Sequence, residues 1–287
     1  MATTYNNLYL DARQELRRAG VEAAQLEARE LLCFAADKTR NQFFKDMNLY
    51  VADHVERRFR ELMDRRLAGE PVAYIIGEWE FYGLTLDICR DVLIPRPDTE
   101  TLVDRGIDFV KDLPEGTRVL DLCAGSGCIG LAVAANCPRT RVILADWSED
   151  ALRVCRQNVR RCGLTAQVST TRANALEGAP SALWDFDLIL CNPPYIATEV
   201  YEGLDASVRN YEPRMALDGG EDGLMFYRAV AAGWKSALRP GGKLAFEIGY
   251  DQAPEVEYIL AAHGYENIQT FQDPGGHWRV VEGILNE

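Results

Sequence analysis

Arg118-Val-Leu-Asp-Leu-Cys-Ala-Gly-Ser-Gly-Cys-Ile-Gly130 is an apolar run that halts at glycines and resumes with helical character. Its first five residues read as a buried strand ending at Leu122, and a helix is expected from about Cys128. Gly125 and Gly127 permit backbone dihedrals closed to other residues and let the chain approach a ligand, while the new helix offers unpaired N–H groups. Gly125, Gly127 and Gly130 spell G-x-G-x-x-G, and Asp146 follows at about the spacing of an acid that holds ribose hydroxyls. Asp121 changes the balance. A carboxylate at the strand end repels a pyrophosphate and attracts the ammonium of a methionine-like ligand. Taken alone, the motif leaves S-adenosylmethionine (AdoMet), a dinucleotide and a purely structural turn open.

A second stretch narrows the choice. Trp184-Asp-Phe-Asp-Leu-Ile-Leu-Cys-Asn-Pro-Pro-Tyr-Ile196 is another apolar strand, ending in Asn192-Pro193-Pro194-Tyr195. The prolines stop the strand and hold two carbonyls without adjacent N–H donors beside an amide side chain. That group suits a planar –NH2 substrate, with acceptors for its hydrogens and an aromatic surface to lie on. The competing reading is a strand-ending turn with a packed tyrosine, and pairing with the glycine loop weighs against it.

The paired motifs resemble class I AdoMet-dependent amino-methyltransferases, and the wider sequence is similar to the release factor glutamine methyltransferase family. The matches run from Glu70-Pro-Val-Ala-Tyr-Ile-Ile-Gly77 through Val92-Leu-Ile-Pro-Arg-Pro-Asp-Thr-Glu100, Asp121-Leu-Cys-Ala-Gly-Ser-Gly127 and Asn192-Pro-Pro-Tyr-Ile196. They continue in Glu212-Pro-Arg-Met-Ala-Leu-Asp-Gly-Gly-Glu-Asp-Gly-Leu224 and Glu247-Ile-Gly-Tyr-Asp-Gln252. The resemblance implies methyl transfer from AdoMet, leaving S-adenosylhomocysteine, to a glutamine side-chain nitrogen in the Gly-Gly-Gln loop of peptide chain release factors. It also implies that release factors are the partners.

Candidate cofactor residues are Asp121, Cys123, Ala124, Gly125, Ser126, Gly127, Ile129, Asp146, Trp147, Asn174, Ala175 and Asn192. Asp146 is expected on the ribose, Trp147 over the adenine and Asn174 at the adenine edge, where the family often has aspartate. Candidate catalytic residues are Asn192, Pro193 and Tyr195, with Arg96, Pro194 and Glu212 joining them in holding substrate. An amide nitrogen is a poor nucleophile because its lone pair is delocalised. Hydrogen bonds from its NH2 to the Asn192 side-chain oxygen and the Pro193 carbonyl would aim it and favour pyramidal character.

The formal charge of −13 argues against broad binding to nucleic-acid backbone, which needs a basic face. No apolar run is long enough to span a bilayer, and Met1-Ala-Thr-Thr-Tyr-Asn-Asn7 lacks a signal or transit pattern, so a cytoplasmic, monomeric protein is expected. The eight cysteines are spread singly with no C-x-x-C pair, and His54, His263 and His277 are far apart. Reduced, packed thiols and no metal are expected.

The expected architecture is α/β: a doubly wound, seven-stranded, mostly parallel sheet with an antiparallel terminal hairpin, preceded by a small helical domain. Residues 1–70 form that domain as three or four helices, with Leu8, Ala12, Leu16 and Ala19 on one face and Val55, Phe59, Leu62 and Met63 on another. The family resemblance gives it a substrate-recognition role. Residues 71–97 form a linker carrying a hairpin that turns at Gly83. Residues 98–287 form the catalytic domain, opened by a helix capped by Asp98 or Thr99. Strands are expected near 118–122, 141–145, 166–171, 186–191, 243–248, 266–272 and 278–284. Helices are expected near 128–136, 149–162, 221–238 and 253–263. Only Asp273-Pro-Gly-Gly276 separates the last two strands, too little for a parallel crossover. The competing functions are an adenine N6-methyltransferase acting on DNA or RNA and a non-catalytic binding module on the same fold.

Overall fold

The computed structural model describes residues 3–286 and divides them into two compact units. The first runs to Gly77 and includes Ala206–Tyr211; the second holds Glu78–Asp205 and the chain from Glu212 on. These limits differ from the expected breaks at 70 and 97. The chain folds into a further helix after Pro71, and the hairpin belongs to the sheet unit rather than to a linker.

The first unit contains α1 (Tyr5–Arg18), α2 (Ala24–Ala35), α3 (Arg40–Asp46), α4 (Asp53–Leu67) and α5 (Val72–Ile76). Thr4 caps α1, and Thr39 with Gln42 makes a reciprocal capping box on α3, each satisfying N–H groups the first turn leaves free. Leu8, Ala12 and Leu16 are buried, as are Val55, Phe59, Leu62 and Met63. Ala19 is not, because α1 ends at Arg18 and Ala19 is its exposed C-terminal cap. Arg66 pairs with Glu27 at 2.5 Å and ties α4 to α2.

The second unit opens with the antiparallel hairpin β1 (Glu78–Phe81) and β2 (Leu84–Asp87), which turns at Tyr82 and Gly83, both at positive φ. A 3₁₀ turn, Pro97–Thr99, leads into α6 (Glu100–Val110). Thr99 takes the N-cap position, as expected, but its side chain makes no capping hydrogen bond; Asp98 faces Arg279 at 3.4 Å, and Glu100 accepts the Tyr82 N–H at 3.0 Å.

Alternation follows as β3 (Arg118–Leu122), α7 (Cys128–Asn136), β4 (Arg141–Asp146), α8 (Glu149–Arg161), β5 (Val168–Arg172) and β6 (Phe186–Cys191). After the short α9 (Thr198–Tyr201) and α10 (Ala206–Arg209) come α11 (Met225–Gly233), β7 (Leu238–Glu247), α12 (Ala253–Ala262), β8 (Tyr265–Gln272) and β9 (Trp278–Leu285). The seven strands lie in the order β5-β4-β3-β6-β7-β9-β8, with β9 antiparallel to both neighbours and the rest parallel. The expected helix over 221–238 is shorter. Gly220 and Gly223 take positive φ and turn the chain through residues 221–223 before α11 starts at Met225, while Lys235–Ala237 is a 3₁₀ turn after which β7 begins at once. Every residue of β6 is buried, as befits a central strand covered on both faces.

Candidate active site

A cavity of about 740 Å³ opens at the carboxyl ends of β3, β4 and β6, where doubly wound sheets gather ligands. Cys123, Ala124, Gly125, Ser126 and Ile129 form one wall. Gly125 has open space where a Cβ would point, leaving room for a ligand. Gly127 does not line the cavity. It holds φ +81 at the start of α7, and a Cβ there would stand 2.8 Å from Leu144. At Gly130 a Cβ would come within 2.3 Å of Leu144. The second and third glycines therefore seat α7 on the sheet, and only the first meets the ligand space.

Asp121 is fully buried beneath this loop and absent from the cavity wall. Its Oδ2 accepts the Gly130 N–H at 2.8 Å, its Oδ1 has no partner, and burial pushes its carboxyl up to about 7. The side chain turns in to the start of α7, so the attraction expected of it toward a ligand ammonium would act through the loop above it.

Asp146 does stand on the wall, accepting the Gly125 N–H at 2.9 Å and the Ser148 N–H at 2.8 Å. Burial raises its pKa, and those N–H bonds oppose the rise. Each oxygen keeps acceptor capacity for a hydroxyl. Trp147 lines the cavity 45 % exposed, with the Arg172 guanidinium 4.1 Å over its ring. The guanidinium covers one ring face by a cation–π contact. Asn174 and Ala175 complete this side. The Asn174 amide is engaged locally, accepting from Leu176 N–H at 3.1 Å and donating to Glu177 at 3.0 Å. An adenine-edge contact from it has to share or displace those bonds.

The Asn192–Tyr195 segment leaves β6 across the cavity mouth. Asn192 and Pro194 line the cavity; Pro193 and Tyr195 do not. Among the described residues none hydrogen-bonds the Asn192 side chain. Tyr195 points its hydroxyl toward Glu247 at 3.5 Å, and its carbonyl accepts from Gln252 Nε2 at 3.0 Å. Gln252 is held in turn by Tyr227 at 3.2 Å and Gly249 N–H at 2.9 Å. A second strut comes from the following loop. Ile196 N–H donates to Leu217 O at 3.0 Å and Gly219 N–H to Ile196 O at 2.8 Å. A Cβ on Gly219 would lie 2.7 Å from Tyr195 Cα, and one on Gly223 would lie 2.4 Å from Tyr195 O. Residues 212–224 and 247–252, distant in sequence, thus brace one tetrapeptide.

Arg96 lines the cavity, and Glu212, outside it, bonds the Arg96 guanidinium and accepts the Ile94 N–H at 3.1 Å. Glu212 orients the Pro95–Pro97 segment rather than meeting a ligand itself. Sequence reasoning missed Thr99, Thr198, Met215, Met225 and Phe226 on the wall and Glu247 and Gln252 behind the tetrapeptide. Most lie in stretches the family comparison had marked, but nothing in local spacing aims them at this cavity. Among the described residues no cluster of His, Cys, Asp or Glu could hold a metal.

Residues 7–77 match the family model described as PrmC N-terminal domain, and residues 99–206 match the one described as methyltransferase small domain. A release factor glutamine methyltransferase of Caulobacter vibrioides is 38% identical over 288 residues, covering 100% of this chain and 98% of that protein. One from Moorella thermoacetica is 41% identical over 278 residues, covering 96% and 97%. Among solved structures, a methyltransferase from Pyrococcus furiosus aligns with a TM-score of 0.53 at 18% identity, over 80% of this chain and 98% of that one, and shares the fold.

Proposed function

Because this chain belongs to the release factor glutamine methyltransferase family, we propose that its cavity binds AdoMet and presents a glutamine side-chain amide to it at Asn192-Pro193-Pro194-Tyr195. The chain is a protein-(glutamine-N5) methyltransferase. The observation that carries the site assignment is the pairing, in one cavity, of the Gly125–Asp146 cradle with the doubly braced tetrapeptide. The cradle fits the donor: open space at Gly125, a carboxylate with spare acceptor capacity at Asp146 and the exposed Trp147 ring on the wall suit the backbone approach, the ribose and the adenine.

When bound, AdoMet would supply an electrophilic methyl on a cationic sulfonium, so neither a metal nor a covalent nucleophile is needed, and the proton displaced from the amide nitrogen leaves to water. The Asn192 side-chain oxygen and the Pro193 carbonyl accept hydrogens from the target NH2 and aim its nitrogen. Bracing through Gln252 and Gly219 fixes those acceptors in advance, so they are not reorganised during the reaction. Tyr195, off the cavity wall, supports the Asn192–Pro194 segment from behind. The substrate is the Gly-Gly-Gln loop of a peptide chain release factor, with the helical unit contributing recognition. The enzyme acts as a cytoplasmic monomer without a nucleic-acid requirement, in keeping with its charge of −13. Among the described residues no helix is long and apolar enough to cross a membrane.

The test supplies labelled AdoMet, a release factor and a nucleic acid together and locates the label by peptide mass spectrometry. Label on the glutamine of the Gly-Gly-Gln loop is expected. Label on adenine, or none, overturns the assignment.

A further inference from the structure

Glu247 stands behind the tetrapeptide and has no part in the reaction as described. It ends β7 at 2 % exposure, with Oε1 3.5 Å from the Tyr195 hydroxyl and Oε2 buried without a hydrogen-bond partner. A buried carboxylate is costly unless its surroundings compensate it. Thr99, on the cavity wall, favours its charged form through its hydroxyl, as does the Arg279 guanidinium, while Asp98 opposes it. Arg279 is held by Asp273 at 3.2 Å and by the Ile248 carbonyl at 3.2 Å, and His277 lies 3.8 Å from Asp273. From α11 the Tyr227 hydroxyl donates to the Glu247 main-chain carbonyl at 3.1 Å; from α7 Cys128 feels its charge; Arg96 acts on Tyr195. Burial outweighs the favourable neighbours and pushes the Glu247 carboxyl up to about 7.

We propose that Glu247 is a positioning residue for methyl transfer, whose carboxylate anchors the Tyr195 hydroxyl beside Thr99 and so holds the Asn192–Tyr195 clamp against the Arg96–Thr99 turn. It acts through the Tyr195 hydroxyl and not on the reacting atoms, which makes it a positioning and not a catalytic residue. The inference rests on reading that tetrapeptide as the amide clamp. A charged acceptor binds a hydroxyl more strongly than a neutral one. The clamp is therefore best ordered when Glu247 is ionised, and transfer slows as pH falls through about 7.

Single-turnover transfer by the full chain to a release factor, at saturating AdoMet and across the pH range around neutrality, tests this in wild type, Glu247→Gln, Tyr195→Phe and the double variant. At alkaline pH Glu247→Gln should be slower by about tenfold, with no inflection near pH 7 and with AdoMet affinity by calorimetry unchanged. Tyr195→Phe should lose the same inflection, and the double variant should be no slower than the slower single one, because both remove one interaction. An inflection that persists in Glu247→Gln, additive losses, or a loss that tracks weakened AdoMet binding overturns the proposal. Should Glu247→Gln fail to fold, Tyr195→Phe carries the test, and an unchanged inflection there overturns it equally. Absence of wild-type transfer to the release factor refutes the clamp reading itself, and the inference with it.

Discussion

Asn192 and Asp121 show how differently two polar residues at strand ends are used. Asn192 faces the cavity with its amide unengaged, and Asn192→Ala should slow single-turnover transfer on the order of a hundredfold, about 3 kcal/mol, while AdoMet affinity changes little. Asn192→Asp keeps an acceptor but places a charge beside the sulfonium methyl, and it too should be impaired. A near-wild-type alanine rate would sink the clamp reading. Asp121 faces inward, and its titration bears on stability. Its carboxyl is raised from 3.8 to about 7 in the fold, so between those values the native state holds a proton the unfolded chain releases. Its contribution is present below the unfolded value and is lost as pH rises through about 7. Asp121→Asn removes that loss, so its Tm relative to wild type should be higher by a few degrees at pH 8 than at pH 5. Equal differences at both pH values would mean the carboxyl is not buried as described.

At the scale of elements, the tetrapeptide is rigid because two other segments hold it. The loop from Asp218 to Leu224 lies alongside it, and Gly219 is there because a Cβ would meet Tyr195 Cα at 2.7 Å and Pro194 O at 2.8 Å. Both neighbours are backbone and cannot swing aside. Gly219→Ala must therefore displace the clamp. A shift approaching an ångström costs on the order of a hundredfold in rate, and the cradle at Gly125 and Asp146 lies on other strands. Turnover should fall by that order while calorimetric AdoMet binding survives. Wild-type turnover would show that the loop is not a brace. The same geometry accounts for α11, which starts at Met225 and not near 221: residues 219–224 are held in bracing contacts that a helix would break.

Taken whole, the chain pairs a helical unit with a sheet unit whose cavity draws its walls from the sheet unit alone. Removing residues up to Gly77 should leave most AdoMet binding intact yet reduce methylation of an intact release factor more than that of a short glutamine peptide, because only the former needs a recognition surface. A folded truncated protein that methylated the intact release factor as efficiently as the full chain does would remove the helical unit from recognition. The sequence by itself determined the order of strands and helices, the antiparallel ending and the two motifs. These follow from apolar periodicity, from glycine and proline punctuation and from the short Asp273–Gly276 link, all of which are local. It also singled out Gly125, Asp146 and Asn192, which share one cavity. Which side chains face that cavity was decided only by the tertiary structure. Of the residues expected at ligands, Asp121 on β3 bonds the Gly130 N–H of α7, Gly127 lets α7 seat against Leu144 of β4, and Glu212 bonds Arg96. Glu247 and Gln252, which the sequence offers only as the ends of a family-like stretch, stand behind the tetrapeptide. The reason is physical: periodicity fixes which face of an element a side chain occupies, whereas its partner across the fold depends on how the sheet twists and how closely helices seat upon it.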